Sequence, residues 1–298
     1  MNVKSIFILT ILVTQLVGCN GRKSEDTSRE IPTIMPPASE LPDSHESPTL
    51  AGPDAVIDDF VTAPNWESKG DPDFGYSKTN YTISNTSAGE IGGTFTRAGE
   101  HMFYAQTSLD STVSFSGAFF ASGKLRTPVI DNPNHELAIG FFDPENTIHD
   151  EIRLKESVYN GVARVVFAEN YLTEYPGNDV LRVFIEGPGF QSASLTLPQM
   201  VTGSNRSWEL SYSPVGNGTL TFQISGRTEV LKEFSNLRGE LSAGEESGKI
   251  VVRLKEEERA NAISPTAFGF QSLKTSDPQP GIRRIDFYID DLSFTGMK

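Results

Sequence analysis

The chain has 298 residues, with 25 Lys and Arg against 39 Asp and Glu, for a formal charge of −14. A surface this acidic is repelled by nucleic acid and by anionic lipid, which excludes nucleic-acid binding and leaves no polybasic route to a membrane. The single cysteine, Cys19, and four scattered histidines exclude a disulfide framework, a zinc-thiolate cluster and any HExxH metal motif.

The chain begins with a basic start from Met1 to Lys4, an apolar run from Ile6 to Val13, and the ending Leu16-Val17-Gly18-Cys19. The apolar run is short of the roughly 20 residues that a transmembrane helix needs. Its flanks are those of a cleaved signal. The ending resembles the lipobox of bacterial lipoproteins. That resemblance implies a signal peptide over residues 1–18, lipidation of the Cys19 sulfur, and an extracytoplasmic location in the cell envelope with the lipid as membrane anchor. An ordinary secretory signal that contains a cysteine is the competing reading. With no basic cluster to assist, anchoring would rest on more than one acyl chain.

Residues 19–52 read as a lipidated cysteine followed by a disordered tether. From Asn20 to Gly52 there are five prolines and no aromatic residue among many Ser, Thr and Glu. Such a segment buries too little apolar surface to offset its ordering entropy. As a flexible coil it would span about 30 Å.

Residues 53–298 change texture to short alternating runs separated by Gly, Pro, Asn and Asp. The spacing predicts strands at Ala55–Phe60, Gly93–Arg97, Thr112–Phe119, Leu137–Phe142, Ala163–Phe167 and Val180–Ile185. Further strands are expected at Ser207–Tyr212, Gly218–Ile224, Lys249–Leu254 and Ile285–Ile289. Period-two alternation with turn residues between the runs indicates an antiparallel sandwich. The clearest hairpin is Pro214-Val215-Gly216-Asn217-Gly218, with Asn-Gly expected to supply the positive φ angles. A helical period shows only in fragments such as Glu229 to Leu237. No internal repeat or second linker divides this region.

Several stretches resemble the concanavalin A-like lectin and glucanase superfamily. Asp58-Asp59-Phe60 with Trp66 is similar to its first strand, Ala138-Ile139-Gly140-Phe141-Phe142-Asp143 to its "GFF" strand, and Trp208–Gly226 to its common hairpin. Ala267-Phe268-Gly269-Phe270 and Phe287–Gly296 are similar to its closing strands. The resemblance implies an all-β fold, a two-sheet antiparallel jelly-roll sandwich in which the first and last strands pair.

It also implies where chemistry would sit. Hydrolytic members carry Glu-x-Asp-x-(x)-Glu on one strand, two carboxylates about 5 Å apart. The nearest match here is Glu151-Ile152-Arg153-Leu154-Lys155-Glu156, with Arg153 in place of the Asp. Strand alternation puts Glu151 and Arg153 on one face and Glu156 on the other. Alginate-lyase-type members use Arg-x-Glu-Leu/Ile-Arg. Glu151-Ile152-Arg153 fits its second half, but His149 replaces the first Arg and the Gln-Ile/Val-His strand is absent. No catalytic residue is therefore assigned. A glycoside hydrolase or polysaccharide lyase is the alternative to noncovalent binding of a glycan or another surface polymer, and a structural envelope protein is a third reading.

For binding, Arg97, Tyr104, Glu151 and Arg153 are the nominees, because they occupy polar positions on expected strands where aromatic faces and hydrogen-bonding groups can meet sugar hydroxyls. Trp208 shares its parity with Leu210 and Tyr212 and is expected in the core; Trp66 follows a turn-rich stretch that would suit the surface, while the family resemblance implies packing there too. If the terminal strands pair, Asp59 approaches Asp290. Neighbouring oxygens could then complete a calcium site, or the two aspartates could simply guard a sheet edge.

Overall fold

The structure, a computed structural model, describes residues 55–58, 60–69, 74–77, 83, 89–96, 102–109, 113–130, 135–145, 161–170, 180–198, 205–231, 237–274 and 284–296. The chain divides into Met1–Ser47 and Pro48–Lys298. The first unit, with Cys19 and most of the expected tether, lies outside the described residues.

In chain order the described elements of the second unit begin with β1 (Ala55–Asp58), β2 (Glu67–Lys69), β3 (Phe74–Ser77), β4 (Glu90–Thr96), β5 (Met102–Gln106) and β6 (Phe119–Ile130). Next come β7 (His135–Phe142), β8 (Ala163–Asn170), β9 (Val180–Gly187), β10 (Phe190–Gln191) and β11 (Leu195–Pro198). They are followed by β12 (Asn205–Ser213), β13 (Thr219–Ser225), β14 (Glu229–Val230), β15 (Glu240–Ala243) and β16 (Ser247–Arg253). The chain closes with α1 (Glu256–Ala260), β17 (Ala267–Lys274) and β18 (Arg284–Thr295).

The strands build two sheets with antiparallel ladders. The first has the order β15-β16-β13-β12-β6-β18-β4-β3, with β1 also on β18. The second has the order β14-β11-β9-β8-β7-β17-β5-β2, with β10 on β9. The chain passes from the first sheet to the second at β4 to β5, back at β5 to β6, and across again at β6 to β7. Returning later, it sets β17 between β5 and β7 and β18 between β4 and β6. This nesting of crossing strand pairs is a jelly roll, so the all-β two-sheet antiparallel sandwich expected from the sequence is the observed fold. The run from β2 to β3 and the run from β14 to β15 each join the outermost strand of one sheet to the outermost strand of the other.

Alternation creates the core. β12 runs Asn205 to Ser213 with every second side chain buried, and Trp208, Leu210 and Tyr212 enter the inter-sheet layer. β13 contributes Leu220, Phe222 and Ile224 in the same way. Aromatic rings fill the middle: Phe268 stacks on Phe294 with centroids 4.2 Å apart, a contact worth about 0.5–1.5 kcal/mol beyond its area. Trp66 is partly buried against this cluster, as expected, with Tyr104 at 5.4 Å and Phe270 at 5.9 Å. The Tyr212 hydroxyl donates to the Phe115 carbonyl oxygen at 2.8 Å, satisfying the one polar atom that its ring carries inward.

Three local expectations are corrected. The run expected as a strand over Thr112–Phe119 is a turn through residues 113–118, with the Gly117 N–H donating to the Ser114 carbonyl, and β6 starts only at Phe119. In the β12–β13 turn the positive φ angles fall on Gly216 (68°) and Gly218 (86°), not on Asn217, so the two glycines carry the reversal. The helical fragment after Glu229 begins instead as β14, because Leu195 and Thr196 offer it a sheet edge to pair with. The described helix is α1, an exposed turn with three acids in its first turn, where the helix dipole favours them.

The first and last strands pair as anticipated, from Ala55 opposite Thr295 to Asp58 opposite Leu292. β18 is long enough to hold β1 at one end and β4 at the other on the same side. Its register against β6 shifts between Asp290 and Ser293. Asp291 takes φ 51° at this bulge, and Phe60, which follows β1, takes φ 55°. They are the two described non-glycine residues in the left-handed region, and both mark the place where β18 changes neighbours.

Candidate functional site

The outward face of the second sheet differs from an ordinary solvated face. Core-facing residues on β7, β8 and β9 include Ile139, Val165 and Ile185, so alternation turns Gly140, Arg164 and Glu186 outward. A row of paired residues crosses the sheet from Glu186 through Arg164, Gly140, Gly269 and Ala105 to Glu67. Beside it runs a second row, Phe184, Val166, Ala138 and Gln271. Beyond that, Arg182 and Glu136 flank Ala168.

Arg164 organises the centre. Its Nε donates to Glu186 Oε2 at 2.8 Å, its Nη2 lies 2.7 Å from the same oxygen, and its Nη1 donates to Gln271 Oε1 at 2.6 Å. To reach Gln271 the side chain crosses β7, and Gly140 makes that possible. A Cβ at Gly140 would lie 2.9 Å from Arg164 Cβ and 2.4 Å from the Ala163 carbonyl oxygen. Arg164, Glu186 and Gln271 are 7%, 1% and 3% exposed, so the ion pair works outside bulk water. A second pair, Arg182 and Glu136, closes at 3.5 Å, and the Arg182 guanidinium lies 4.3 Å above the Phe184 ring.

This arrangement suits recognition better than hydrolysis. Glu186 and Glu136 stand on strands separated by β8, in rows four residues apart, roughly 13 Å along the strand direction. Retaining glycosidases need about 5 Å and inverting ones 6.5–9.5 Å. Each carboxylate is also held by an arginine. The face carries fixed planar donors and acceptors beside glycine backbone and a second apolar cluster of Ala138, Val166, Ala168 and Phe184, each at most 3% exposed, so it is covered within the chain and a polar ligand reaches it only where that cover opens.

The sequence-derived nominees fall elsewhere. Arg97, Glu151, Arg153 and His149 lie outside the described residues, as does Asp59. Tyr104 is 8% exposed and belongs to the inter-sheet core, edge-on to Phe74 at 6.3 Å. It therefore faces the layer between the sheets and not an outer face, because the parity of β5 runs with Tyr104 inward. Asp290 is described: its Oδ1 accepts from the Asp291 backbone N–H at 2.8 Å. Lys124 Nζ sits 2.5 Å from Asp291 Oδ2, and the hydrogen bond and charge of Asp291 raise the lysine's pKa above its ordinary value. The ammonium thus balances Asp291, and among the described residues no group of three or more acids and histidines gathers.

Sequence reasoning passed over Arg164, Glu186 and Gln271. The available signal was a single charged residue set inside a run such as Ala163-Arg164-Val165-Val166-Phe167. A strand buried on both faces reads as nearly continuous apolar sequence, and a charge within it must be paired.

No protein-family model matches the chain, and no curated protein does. Among solved structures it is similar to arcelin-5, a lectin-like defense protein from Phaseolus vulgaris, at 12% identity and TM-score 0.40 over 82% of this chain and 99% of that one. It is similar also to a β-glucanase catalytic domain from Podospora anserina, at 13% identity and TM-score 0.40 over 81% of this chain and 85% of that one. A β-glucanase from Bacillus licheniformis aligns at 10% identity and TM-score 0.37 over 82% and 98% of the two chains. At such values the strand pairing itself, and not the likeness, establishes the sandwich.

Proposed function

We propose that the protein is a lipid-anchored, extracytoplasmic sandwich that binds a glycan or another surface polymer noncovalently, through the outward face of the second sheet. The observation that carries this reading is the buried Arg164–Glu186–Gln271 network set beside Gly140 and Gly269 on a face that does not belong to the inter-sheet core. Burying charges brings a purely structural sheet face little stability, since desolvation costs roughly what their attraction returns. A face that must orient a hydroxyl-rich ligand gains fixed donors and acceptors from them. The anchor rests on Cys19 and the sequence around it.

Screening the full-length protein on a glycan array, with and without calcium, tests the reading. Binding to a defined set of glycans is expected, and Gln271→Ala should weaken it at least tenfold while leaving the ion pair in place. Equal binding by wild type and Gln271→Ala, or no binding to any glycan or isolated envelope polymer, would sink it.

A further inference from the structure

A second arginine is buried without an acid. Arg206 on β12 is 4% exposed and shares the inward parity of Trp208. Its Nε donates to Thr127 Oγ1 at 3.1 Å, and its Nη1 donates to the carbonyl oxygens of Ser225 at 2.6 Å and Arg227 at 3.3 Å. All three acceptors are neutral. Nη2 has no partner among the described residues, and the bonds that Nη1 makes to Ser225 and Arg227 are only partly buried. Gly226, at φ 82°, leaves the space the guanidinium needs, since a Cβ there would lie 2.7 Å from Nη1. Burial lowers the Arg206 pKa below the ordinary arginine value with no neighbouring carboxylate to offset it. Arginine nevertheless keeps its proton at any ordinary pH.

The contrast with the other buried guanidinium is informative. Arg164 is matched by Glu186 at 2.7 Å. An unmatched buried cation is costly, and such groups are normally paired. In a chain with a surplus of 14 acids, the lack of a partner is not explained by a shortage of carboxylates. The nearby acids Glu229 and Glu245 are drawn instead to the exposed side chain of Arg227, at 2.8 and 3.5 Å.

We propose that Arg206 is the base of a carboxylate-binding site at the β12–β13 end of the sandwich. Nη2 donates to one oxygen of an incoming carboxylate, while Thr127 and the Ser225 and Arg227 carbonyls fix the guanidinium plane. A carboxylate reaches this site either as a free small acid or as part of a uronic acid in a polymer. The site stands apart from the second-sheet face and does not depend on glycan binding there.

The test is thermal melting of the full-length protein at constant ionic strength, titrated with sodium acetate, sodium glucuronate, glucose or sodium chloride. Acetate and glucuronate should raise the midpoint relative to chloride, glucose should not, and Arg206→Gln should weaken the carboxylate response at least tenfold. A larger response to glucuronate than to acetate assigns a sugar-borne carboxylate, and an equal response assigns the carboxylate alone. A response no greater than that to chloride, or one retained in Arg206→Gln, overturns the site. Should Arg206→Gln fail to fold, arginine side-chain nitrogen spectra of the wild type decide. Acetate must then move a slowly exchanging Nε–H signal, and arginine signals that stay fixed overturn the proposal.

Discussion

Arg164 and Glu186 face each other across the β8–β9 ladder, and two nitrogens of the guanidinium converge on one carboxylate oxygen at 2.8 and 2.7 Å. Breaking a buried pair from one side leaves an uncompensated charge. Arg164→Ala should therefore cost about 3–5 kcal/mol, whereas Arg164→Met combined with Glu186→Leu should be near neutral. Denaturant midpoints of the wild type and the two variants measure this, and binding should be lost in the double variant despite its stability. A single variant as stable as wild type would mean that the pair is wet.

Tyr212 couples stability to alkaline pH. Burial raises its pKa above the ordinary 10.0. A raised folded pKa means that the unfolded chain loses its proton first. The contribution is thus complete below the ordinary tyrosine value and is lost as pH rises toward the folded value. Tyr212→Phe should cost about 1 kcal/mol at neutral pH through the lost bond to the Phe115 carbonyl. The gap between wild type and variant should narrow in melts above pH 10.0. A gap that stays constant would show that the hydroxyl titrates as it does in water.

Lys124 carries a folded pKa above its ordinary value, first through its hydrogen bond to Asp291 and then through that residue's charge. Its contribution is present below the ordinary lysine value and is lost as pH rises through the raised one. Both side chains are about half exposed, so Lys124→Met should cost less than about 1 kcal/mol and the difference should shrink in 1 M salt. Because the ammonium already serves the bulge, any calcium-dependent thermal shift should be the same in wild type and Asp290→Ala. A shift that disappears in Asp290→Ala would place the cation at this bulge after all.

Cys19→Ser should release the protein from washed membranes without changing its melting, since the cysteine precedes the sandwich in the chain. Limited proteolysis of the wild type should cut within residues 20–52 before it cuts the sandwich. Retention of the variant in washed membranes at the wild-type level, or a resistant segment over 20–52, would contradict the anchor and the tether in turn.

The sandwich was legible because alternation is a local property. Ser207–Tyr212 and Gly218–Ile224 each bury every second residue and pair as a hairpin. Trp208 was placed in the core by parity alone. The site was much less legible. Arg164 and Gln271 are 107 positions apart in sequence and meet because β7 and its Gly140 lie between their strands. No spacing rule contains that distance. Tyr104 misled for the opposite reason, since a tyrosine between Phe103 and Ala105 does not announce which face of the strand is wet. The parity of β5 is set by its ladders with β17 and β2.

The pairing of β1 with β18 has a mechanical side. Tension arriving through the residues before Ala55 meets a four-residue strand, joined to Thr295, Phe294, Ser293 and Leu292 in that order. Drawn across the ladder from this end, an antiparallel strand opens one step at a time; drawn along it, its bonds share the load together. β18 would meanwhile stay clamped between β4 and β6, and buried Phe60 would be the first fixed point. If residues 20–52 tether the domain, the strand would act as a short fuse that lengthens that tether under load while the rest of the sandwich keeps its strand pairing.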